Sequence, residues 1–191
     1  EKSKSGMIKQ DTINTHIKSK TKTGKKTYSM PTVSTMNISI TKRDGRKEHL
    51  DINKIHFVVE EACENLPGVS ASQIEMNANI QFYDGMTTKD IQNVLVRSAN
   101  DLITLESPNY QYAAARLLLY DVRKEAHGQY EYTPLLKLIL RNVRSGVYDR
   151  DIVEKYSKTE IKKLNSWIRR ERDLKFTYAG LRQVVDKYLV Q

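Results

Sequence analysis

Residues 40–55 read ITKRDGRKEHLDINKI, a run in which two short alternating stretches flank Asp44-Gly45. Asp and Gly tolerate positive φ angles, so this pair predicts a β-hairpin with a two-residue turn. Four aliphatic side chains supply the apolar face of the hairpin: Ile38, Ile40, Leu50 and Ile52. The sequence therefore predicts a small sheet that rests one face on a hydrophobic core.

Charged side chains are concentrated on the same hairpin. From the first strand to the start of the next helix they are Lys42, Arg43, Glu48, Asp51 and Lys54. Cations suit phosphate groups, and carboxylates accept hydrogen bonds from the exocyclic amine of a base. A solvated hairpin with mixed surface charge is the alternative, since short charged hairpins are common.

Composition narrows the class of protein. Cys63 is the only cysteine, which argues against a disulfide framework and against zinc sites built on cysteine pairs. The mean hydropathy is −0.61, and no stretch approaches the roughly 18 apolar residues of a membrane span. Hydrophobic residues make up 39% of the chain, enough for a packed core. We expect a cytoplasmic protein without membrane association.

Positive charge is concentrated in residues 1–36. This segment holds eight lysines against two carboxylates, a net charge of +6, so the remainder carries only +3 of the total +9. Its wealth of Lys, Ser and Thr predicts a disordered basic arm. The arm leaves open a nonspecific contact with nucleic acid, or a role as a solubilising tail. The nearly neutral remainder argues against a nucleic-acid-binding body.

Helical periodicity replaces strand alternation after the hairpin. The predicted starts are Asn53 for the first helix, Ser70 with Gln73 as a capping box for the second, and Thr87 or Thr88 for the third. A fourth helix is predicted over about residues 109–126, with Gly128 as its stop. Hairpin and helices together form a unit of normal domain size.

More helices are predicted beyond Gly128. Thr133-Pro134 favours one helix start, and Ser157 with Glu160 forms a capping box for another. The last predicted helix covers about residues 178–189 and is strongly apolar. Such a helix requires a covering surface, either the preceding helices or a continuation of the chain.

A phosphate site in this chain must use side-chain cations and helix N-termini, because neither GxxxxGK[ST] nor GxGxxG occurs. The candidates are Lys42, Arg43, Lys54, Thr88 and Lys124. Tyr120 precedes Lys124 by four positions, which places an aromatic wall and a cation on one helix face. The alternative is that Tyr120 belongs to the core and Lys124 complements the helix macrodipole.

Three stretches taken together resemble the ATP-cone family: residues 41–55, which begin TKRDG, then QFYDGMTT at residues 81–88, and PNYQYAAAR at residues 108–116. With Arg123-Lys124 and the GQY at residues 128–130, they are similar to the N-terminal region of the class I ribonucleotide reductase large subunit. The resemblance covers about residues 37–191. Each motif alone is weak, and their order and spacing carry the resemblance.

The resemblance implies a mainly α fold, with a β-hairpin lid over a four-helix bundle, followed by further helices leading to a catalytic barrel that is missing here. The implied organisation is a basic disordered arm at residues 1–36, an ATP-cone at residues 37–128, and the helical start of the large-subunit N-terminal domain at residues 129–191.

The implied function is allosteric binding of ATP or dATP with Mg, which controls overall activity in deoxyribonucleotide synthesis. The implied nucleotide-binding residues are Lys42, Arg43, Glu48, His49, Leu50, Asp51, Ile52, Asn53, Lys54, Ile55, Thr88, Gln92, Tyr120 and Lys124. Lys42, Arg43 and Lys124 are assigned to phosphates. Glu48 and Asp51 are assigned to the adenine edge, Thr88 to ribose or phosphate, and Ile55 and Tyr120 to the walls of the ring.

Three positions depart from the family pattern. Asp51 stands where Asn is usual, Gln92 where His is usual, and Tyr120 where Phe is usual. Asp in place of Asn removes an amide donor and adds a negative charge. This predicts either weaker nucleotide binding or an altered preference between ATP and dATP.

Reductase chemistry in the family needs a thiyl-forming cysteine, a redox pair and a shuttling pair, which Cys63 alone cannot supply. The chain is therefore expected to act as part of an oxidoreductase. Its implied partners are the remainder of the large subunit with the catalytic barrel, and a radical-bearing small subunit. Two alternatives stay open: a nucleic-acid-binding regulator that uses the basic arm, and an interaction module with a degenerate cone. The zinc ribbon that precedes the cone in a related repressor is absent from residues 1–36.

Overall fold

The structure is a computed structural model, and it describes residues 38–189. The predicted basic arm therefore lies outside the described residues. The strands are β1 (Ser39–Thr41) and β2 (Lys47–His49), and the helices are α1 (Ile52–Cys63), α2 (Ala71–Asn79), α3 (Thr88–Asn100), α4 (Tyr110–His127), α5 (Leu135–Arg144), α6 (Asp151–Lys155), α7 (Lys158–Trp167) and α8 (Tyr178–Lys187). A 3-10 helix at Arg170–Lys175 separates α7 from α8. The predicted class, a mainly helical fold with one β-hairpin, is confirmed.

The hairpin has a longer connection than the sequence suggested. β1 and β2 pair antiparallel, and the ladder is extended by the Lys42 N–H, which donates to the Arg46 carbonyl at 2.8 Å. The Gly45 N–H donates to the Lys42 carbonyl at 2.9 Å. The predicted two-residue turn is wrong, since three residues join this last bonded pair. Only Gly45 takes a positive φ, +83°, and Asp44 does not. In three-residue hairpin loops the third residue commonly takes the left-handed conformation after a tight turn, as Gly45 does here. This geometry matches the twist of the strands.

A further segment of the chain runs beside β1 and holds the hairpin in place. The carboxylate of Asp84 accepts from the Ser39 N–H at 2.7 Å, and the Thr41 N–H donates to the Met86 carbonyl at 2.9 Å. Thr41 and Thr87 form a parallel β-bridge. Because Thr87 directly precedes α3, these contacts fix the N-terminus of α3 against the end of β1. Hairpin and helix terminus are thus positioned to share one site.

The start of α1 and the cap of α2 differ from the prediction. Asp51 rather than Asn53 is the N-cap of α1, and its carboxylate accepts from the Asn53 N–H at 3.0 Å. The prediction of Asn53 was wrong by two positions because an Asp just ahead of the helix satisfies the same orphan donors. Ser70 does precede α2, but its side chain makes no capping hydrogen bond, so the predicted capping box with Gln73 is wrong.

Other helix ends follow the predicted chemistry. Thr87 caps α3 through a reciprocal capping box with Asp90, and Ser157 caps α7 through one with Glu160. Gly128 ends α4 in the left-handed conformation, with φ of +71°. The position of Thr87 as cap leaves Thr88 as the first residue of α3.

The core lies between the hairpin and helices α1 to α4. Its fully enclosed side chains include Val59 of α1, Ile74 of α2, Leu95 of α3 and Leu117 of α4. Leu181 of α8 belongs to the same cluster, so α8 packs on the bundle rather than apart from it. Ile52 was predicted on the apolar face, but it is half exposed because α1 begins there and turns it outward. Within residues 38–189, none of the helices combines the length and apolar character required to cross a bilayer.

Tyr110 connects α4 to α2 through a buried hydroxyl. The side chain is 2% exposed, its hydroxyl accepts from the Ser70 N–H at 3.0 Å, and it donates to Oε1 of Gln73 at 2.5 Å. Replacement by phenylalanine removes both hydrogen bonds and leaves the half-buried Ser70 N–H without this acceptor. We expect Tyr110→Phe to lower the free energy of unfolding by about 1–3 kcal/mol.

Urea denaturation monitored by circular dichroism measures this loss. Tyr188→Phe is the matched control, because Tyr188 is largely exposed and its replacement should change stability by less than about 0.5 kcal/mol. Equal stabilities of the Tyr110→Phe protein and the unmodified chain would contradict the role given to this hydroxyl.

Candidate functional site

A small cavity of about 120 Å³ lies between the hairpin, α1, α3 and α4. Its apolar wall consists of Ile40, Leu50, Ile55, Val58, Ile91 and Leu95, and its polar residues are Lys42, Glu48, Asp51, Lys54, Thr88, Gln92 and Lys124. One wall thus suits a flat ring, whereas the charged residues suit an anionic or hydrogen-bonding group. We call this cavity the hairpin pocket.

Most of the residues expected from sequence to form a nucleotide site come together here. Those that line the hairpin pocket are Lys42, Glu48, Leu50, Asp51, Lys54, Ile55, Thr88, Gln92 and Lys124. They derive from the hairpin, the start of α1, the first turns of α3 and the last turns of α4. The fold therefore collects side chains separated by up to about eighty positions in the sequence.

Two ion pairs hold the cations of the hairpin in place. Nζ of Lys42 lies 2.8 Å from Oε1 of Glu48, and Nζ of Lys54 lies 3.6 Å from Oδ2 of Asp51. The hydrogen bond from Lys42 lowers the pKa of Glu48, which therefore stays ionised. These pairs are partly exposed, so each contributes little to stability. A more strongly charged anion could take the cations from their carboxylates at small cost.

The pKa of Lys124 is lowered by its surroundings in the folded protein. Loss of hydration at the pocket wall, followed by the positive charges of Arg43 and Lys42, lowers the pKa of Lys124, and the nearby Asp121 opposes this shift. Loss of hydration and nearby like charges each disfavour the charged form of a lysine. Lys42 and Lys124 both line the hairpin pocket, so positive charge from the hairpin and from α4 is present in it. An anion bound there would relieve their repulsion.

The N-terminus of α3 adds a further positive end. Thr88 is the first residue of α3 and lines the pocket. The capping box occupies the N–H groups of Thr87 and Asp90, while other N–H groups of the first turn have no partner within the helix. Unpaired donors and the helix dipole favour an anion at such an end.

Gln92 sits between α3 and α4. Its Nε2 donates to the Leu117 carbonyl at 2.7 Å, which fixes the side chain at the pocket wall. The amide is uncharged, so it adds neither attraction nor repulsion for phosphate. Its oxygen remains a hydrogen-bond acceptor.

Five expected site residues do not line the hairpin pocket: Arg43, His49, Ile52, Asn53 and Tyr120. Arg43 nevertheless acts on it through its charge on Lys124. Tyr120 is 5% exposed and stacks on Tyr130 with ring centroids 4.2 Å apart. The shared helix face predicted for Tyr120 and Lys124 therefore does not place the aromatic ring on the pocket wall. The stacking partner lies beyond the end of α4, where helical spacing gives no information.

Sequence reasoning did not assign Ile40, Val58, Ile91 or Leu95 to the site, although all four line it. Their spacing identifies them only as members of buried strand and helix faces. A usable signal was available for Ile91 and Leu95, which flank Gln92 one turn apart on α3.

A second cavity is larger, about 860 Å³, but its charge has the wrong sign for phosphate. It is lined by Phe57, Glu60, Glu61, Cys63, Glu64, Val69, Ala71, Tyr130 and Glu131. Size alone would make it the first choice for a ligand site. Four carboxylates with no lysine or arginine among the lining residues would repel a polyphosphate. The smaller hairpin pocket is therefore the better candidate for an anionic ligand.

Comparison with known proteins finds relatives for most of the chain. The family model described as ATP cone domain matches residues 38–125, the segment that contains every residue of the hairpin pocket. The chain is 43% identical over 155 residues to ribonucleoside-diphosphate reductase 1 subunit alpha of Escherichia coli strain K12. It is 42% identical over 156 residues to ribonucleoside-diphosphate reductase subunit alpha of Enterobacteria phage T4, and 38% identical over 154 residues to that of Helicobacter pylori.

Each of these alignments covers 81% of this chain. The chain spans about a fifth of the length of the curated relatives it matches, namely 20% of the Escherichia coli and phage T4 proteins and 19% of the Helicobacter pylori protein.

Proposed function

We propose that residues 38–125, which match the family model described as ATP cone domain, form the allosteric nucleotide-binding region of a ribonucleoside-diphosphate reductase large subunit. The effectors are ATP and dATP. The observation that carries the proposal is that Lys42 of the hairpin and Lys124 of α4 line one pocket, where loss of hydration and then the charges of Arg43 and Lys42 lower the pKa of Lys124. A protein without an anionic ligand gains nothing from this arrangement, because the repulsion destabilises the folded state.

In the proposed complex the base enters the apolar part of the hairpin pocket and the phosphates face its cations. Ile55 contacts the ring, and Glu48 accepts from its exocyclic amine. Lys42 and Lys124 bind the phosphates, and Thr88 binds ribose or phosphate beside the N-terminus of α3. Mg enters on the phosphates of the nucleotide.

The present size of the pocket requires a movement on binding. About 120 Å³ is well below the roughly 300–1,000 Å³ typical of ligand pockets. Lys42 and Glu48, which both line the pocket, form an ion pair at 2.8 Å. We infer that the hairpin shifts outward when the nucleotide enters, and that Lys42 exchanges Glu48 for phosphate.

Allosteric regulation also requires another part of the enzyme on which the nucleotide-binding domain acts. A nucleotide controls activity only if it binds two assembly states with different affinity. The C-terminal helices present large apolar side chains at their surface, among them Tyr156, Leu164, Trp167 and Ile168, the third of which is 64% exposed. An exposed apolar surface of this kind is expected where another part of the same protein or another subunit packs. We propose that the barrel-bearing remainder of the large subunit covers it, and that the small subunit joins the same assembly in the cytoplasm.

Isothermal titration of the 191-residue chain with ATP and with dATP tests the proposal. We expect both to bind with dissociation constants below 1 mM, as an order of magnitude. Lys42→Ala removes one phosphate ligand and should weaken ATP binding at least about tenfold.

Lys47→Ala is the matched control, since Lys47 lies on the same hairpin, is exposed and does not line the pocket. It should leave the affinity nearly unchanged. If neither nucleotide binds the unmodified chain, the proposed function is wrong. If both lysine variants lose the same affinity, a diffuse surface effect explains binding and the hairpin pocket is not the site.

A further inference from the structure

Asp121 is an unusual residue for the end of an anion site. Within residues 38–189 it is the one buried side chain that carries a full charge, and it lies on α4 three positions before Lys124. A buried carboxylate is retained only where it is paired with a cation. Its partner is Arg43 of the hairpin, whose Nη2 lies 2.5 Å from Oδ1 of Asp121.

Both members of this pair are close in sequence to pocket residues, since Arg43 follows Lys42 and Asp121 lies about one helical turn before Lys124. The charge of Arg43 lowers the pKa of Lys124, and the charge of Asp121 opposes that effect. Both groups therefore act electrostatically on the lysine that lines the pocket. Arg43 keeps 41% of its side chain exposed, whereas Asp121 keeps 12%. The arginine is free to turn toward a new partner, but the carboxylate is fixed in place.

A polyphosphate in the pocket would compete with Asp121 for Arg43. If Arg43 stays on Asp121, most of its charge is already neutralised and is lost to the phosphates. If Arg43 turns to the phosphates, Asp121 is left buried without its partner. In both cases the carboxylate reduces the free energy gained by binding each phosphate group.

We propose that Asp121 is an affinity-setting residue of the hairpin pocket, which competes with nucleotide phosphates for Arg43 and so lowers the affinity for phosphorylated nucleotides, most strongly for ATP. The inference rests on the proposed function. It concerns Asp121, which neither the sequence motifs nor the lining of the pocket assigns to the site. Asp121 need not touch the nucleotide, and it acts through the guanidinium of Arg43.

The test is isothermal titration of adenosine, AMP, ADP and ATP against the 191-residue chain and its Asp121→Asn variant. Asparagine has nearly the same shape and still accepts a hydrogen bond from Arg43, but it has no charge. We expect ATP affinity to rise about tenfold, ADP and AMP affinity to rise progressively less, and adenosine affinity to stay unchanged.

Asp186→Asn is the matched control. Asp186 also pairs with an arginine, Arg182, at 3.0 Å, but on the exposed surface of α8. The same substitution there should leave all four affinities unchanged. If Asp121→Asn does not fold, as judged by circular dichroism, Asp121→Ser provides a smaller neutral replacement for the same titrations.

The outcomes separate this inference from the proposed function. If the unmodified chain binds ATP and the neutral variant binds it equally or more weakly, the role of Asp121 is wrong and the nucleotide site stands. An equal gain for adenosine and ATP would also contradict it, because that gain would not depend on phosphate charge. If no nucleotide binds either protein, both proposals fail.

Discussion

Replacing Lys124 with methionine is expected to weaken ATP binding about a hundredfold without reducing the thermal stability of the protein. Methionine keeps much of the length and the apolar stem of lysine but carries no charge. The binding loss follows because Lys124 supplies a phosphate contact from the helix opposite the hairpin. The stability should stay the same or rise, because the pKa of Lys124 is lowered in the folded protein and its charged form is therefore disfavoured there.

The same reasoning gives a pH dependence. A folded-state pKa below the unfolded value makes the charged lysine a penalty at neutral pH, and this penalty disappears as the pH rises through the lowered pKa. Bound phosphate restores the charge, so ATP affinity should fall as the pH rises above the lowered pKa of Lys124. This decline should be smaller in the methionine variant. Titrations at several alkaline pH values, with melting curves beside them, measure both effects.

Lys137→Met is the control for Lys124→Met. Lys137 lies exposed on α5 and does not line the hairpin pocket. Its replacement should alter neither ATP affinity nor the pH profile. A stable Lys124→Met protein that binds ATP as well as the unmodified chain would show that α4 contributes no phosphate ligand.

Replacing Arg43 with glutamine is expected to lower the free energy of unfolding by about 2–3 kcal/mol and the melting temperature by roughly 5–10 °C. The reason lies in the partner rather than in the arginine itself. Asp121 is 12% exposed, so loss of Arg43 leaves a carboxylate buried with only Lys124 to compensate it. The hairpin also loses its side-chain link to α4, which the Arg43 guanidinium makes at 2.5 Å.

Two further variants isolate this effect. Arg46→Gln removes another arginine from the same hairpin, whose pair with Asp44 is largely exposed at 2.7 Å, and should cost less than about 0.5 kcal/mol. The double variant Arg43→Gln with Asp121→Asn removes the orphaned charge and should recover most of the lost stability. If Arg43→Gln and Arg46→Gln unfold at the same temperature, burial of Asp121 has no energetic consequence.

The sequence predicted the helices better than their exact starts. The buried faces of α1, α3 and α4 repeat with helical period, and the family motifs add the order of elements. Asn53 and Asp51 show the limit, because both residue types cap helices and local sequence cannot rank them two positions apart. Ser70 shows another limit: a capping box was expected, but Gln73 instead bonds to Tyr110 of α4, a tertiary contact that local spacing does not contain.

The candidate site was predictable where its residues follow one another or belong to a motif. Lys42, Thr88 and Lys124 come together at the hairpin pocket as the resemblance implied. Two features depend on contacts between distant elements and could not be read from local spacing. Tyr120 packs on Tyr130 instead of on the pocket. Asp121, on the other hand, looked like an ordinary polar position of α4 until the fold brought Arg43 against it.

The central claim is that cations of the hairpin and of α4 bind the phosphates of one adenine nucleotide. The most direct measurement is a crystal structure of the 191-residue chain grown with ATP. We expect the phosphate oxygens within about 3 Å of the amines of Lys42 and Lys124, with the hairpin moved outward from α1. ATP density in the acidic cavity beside Phe57, or phosphates bound away from both lysines, would contradict the account.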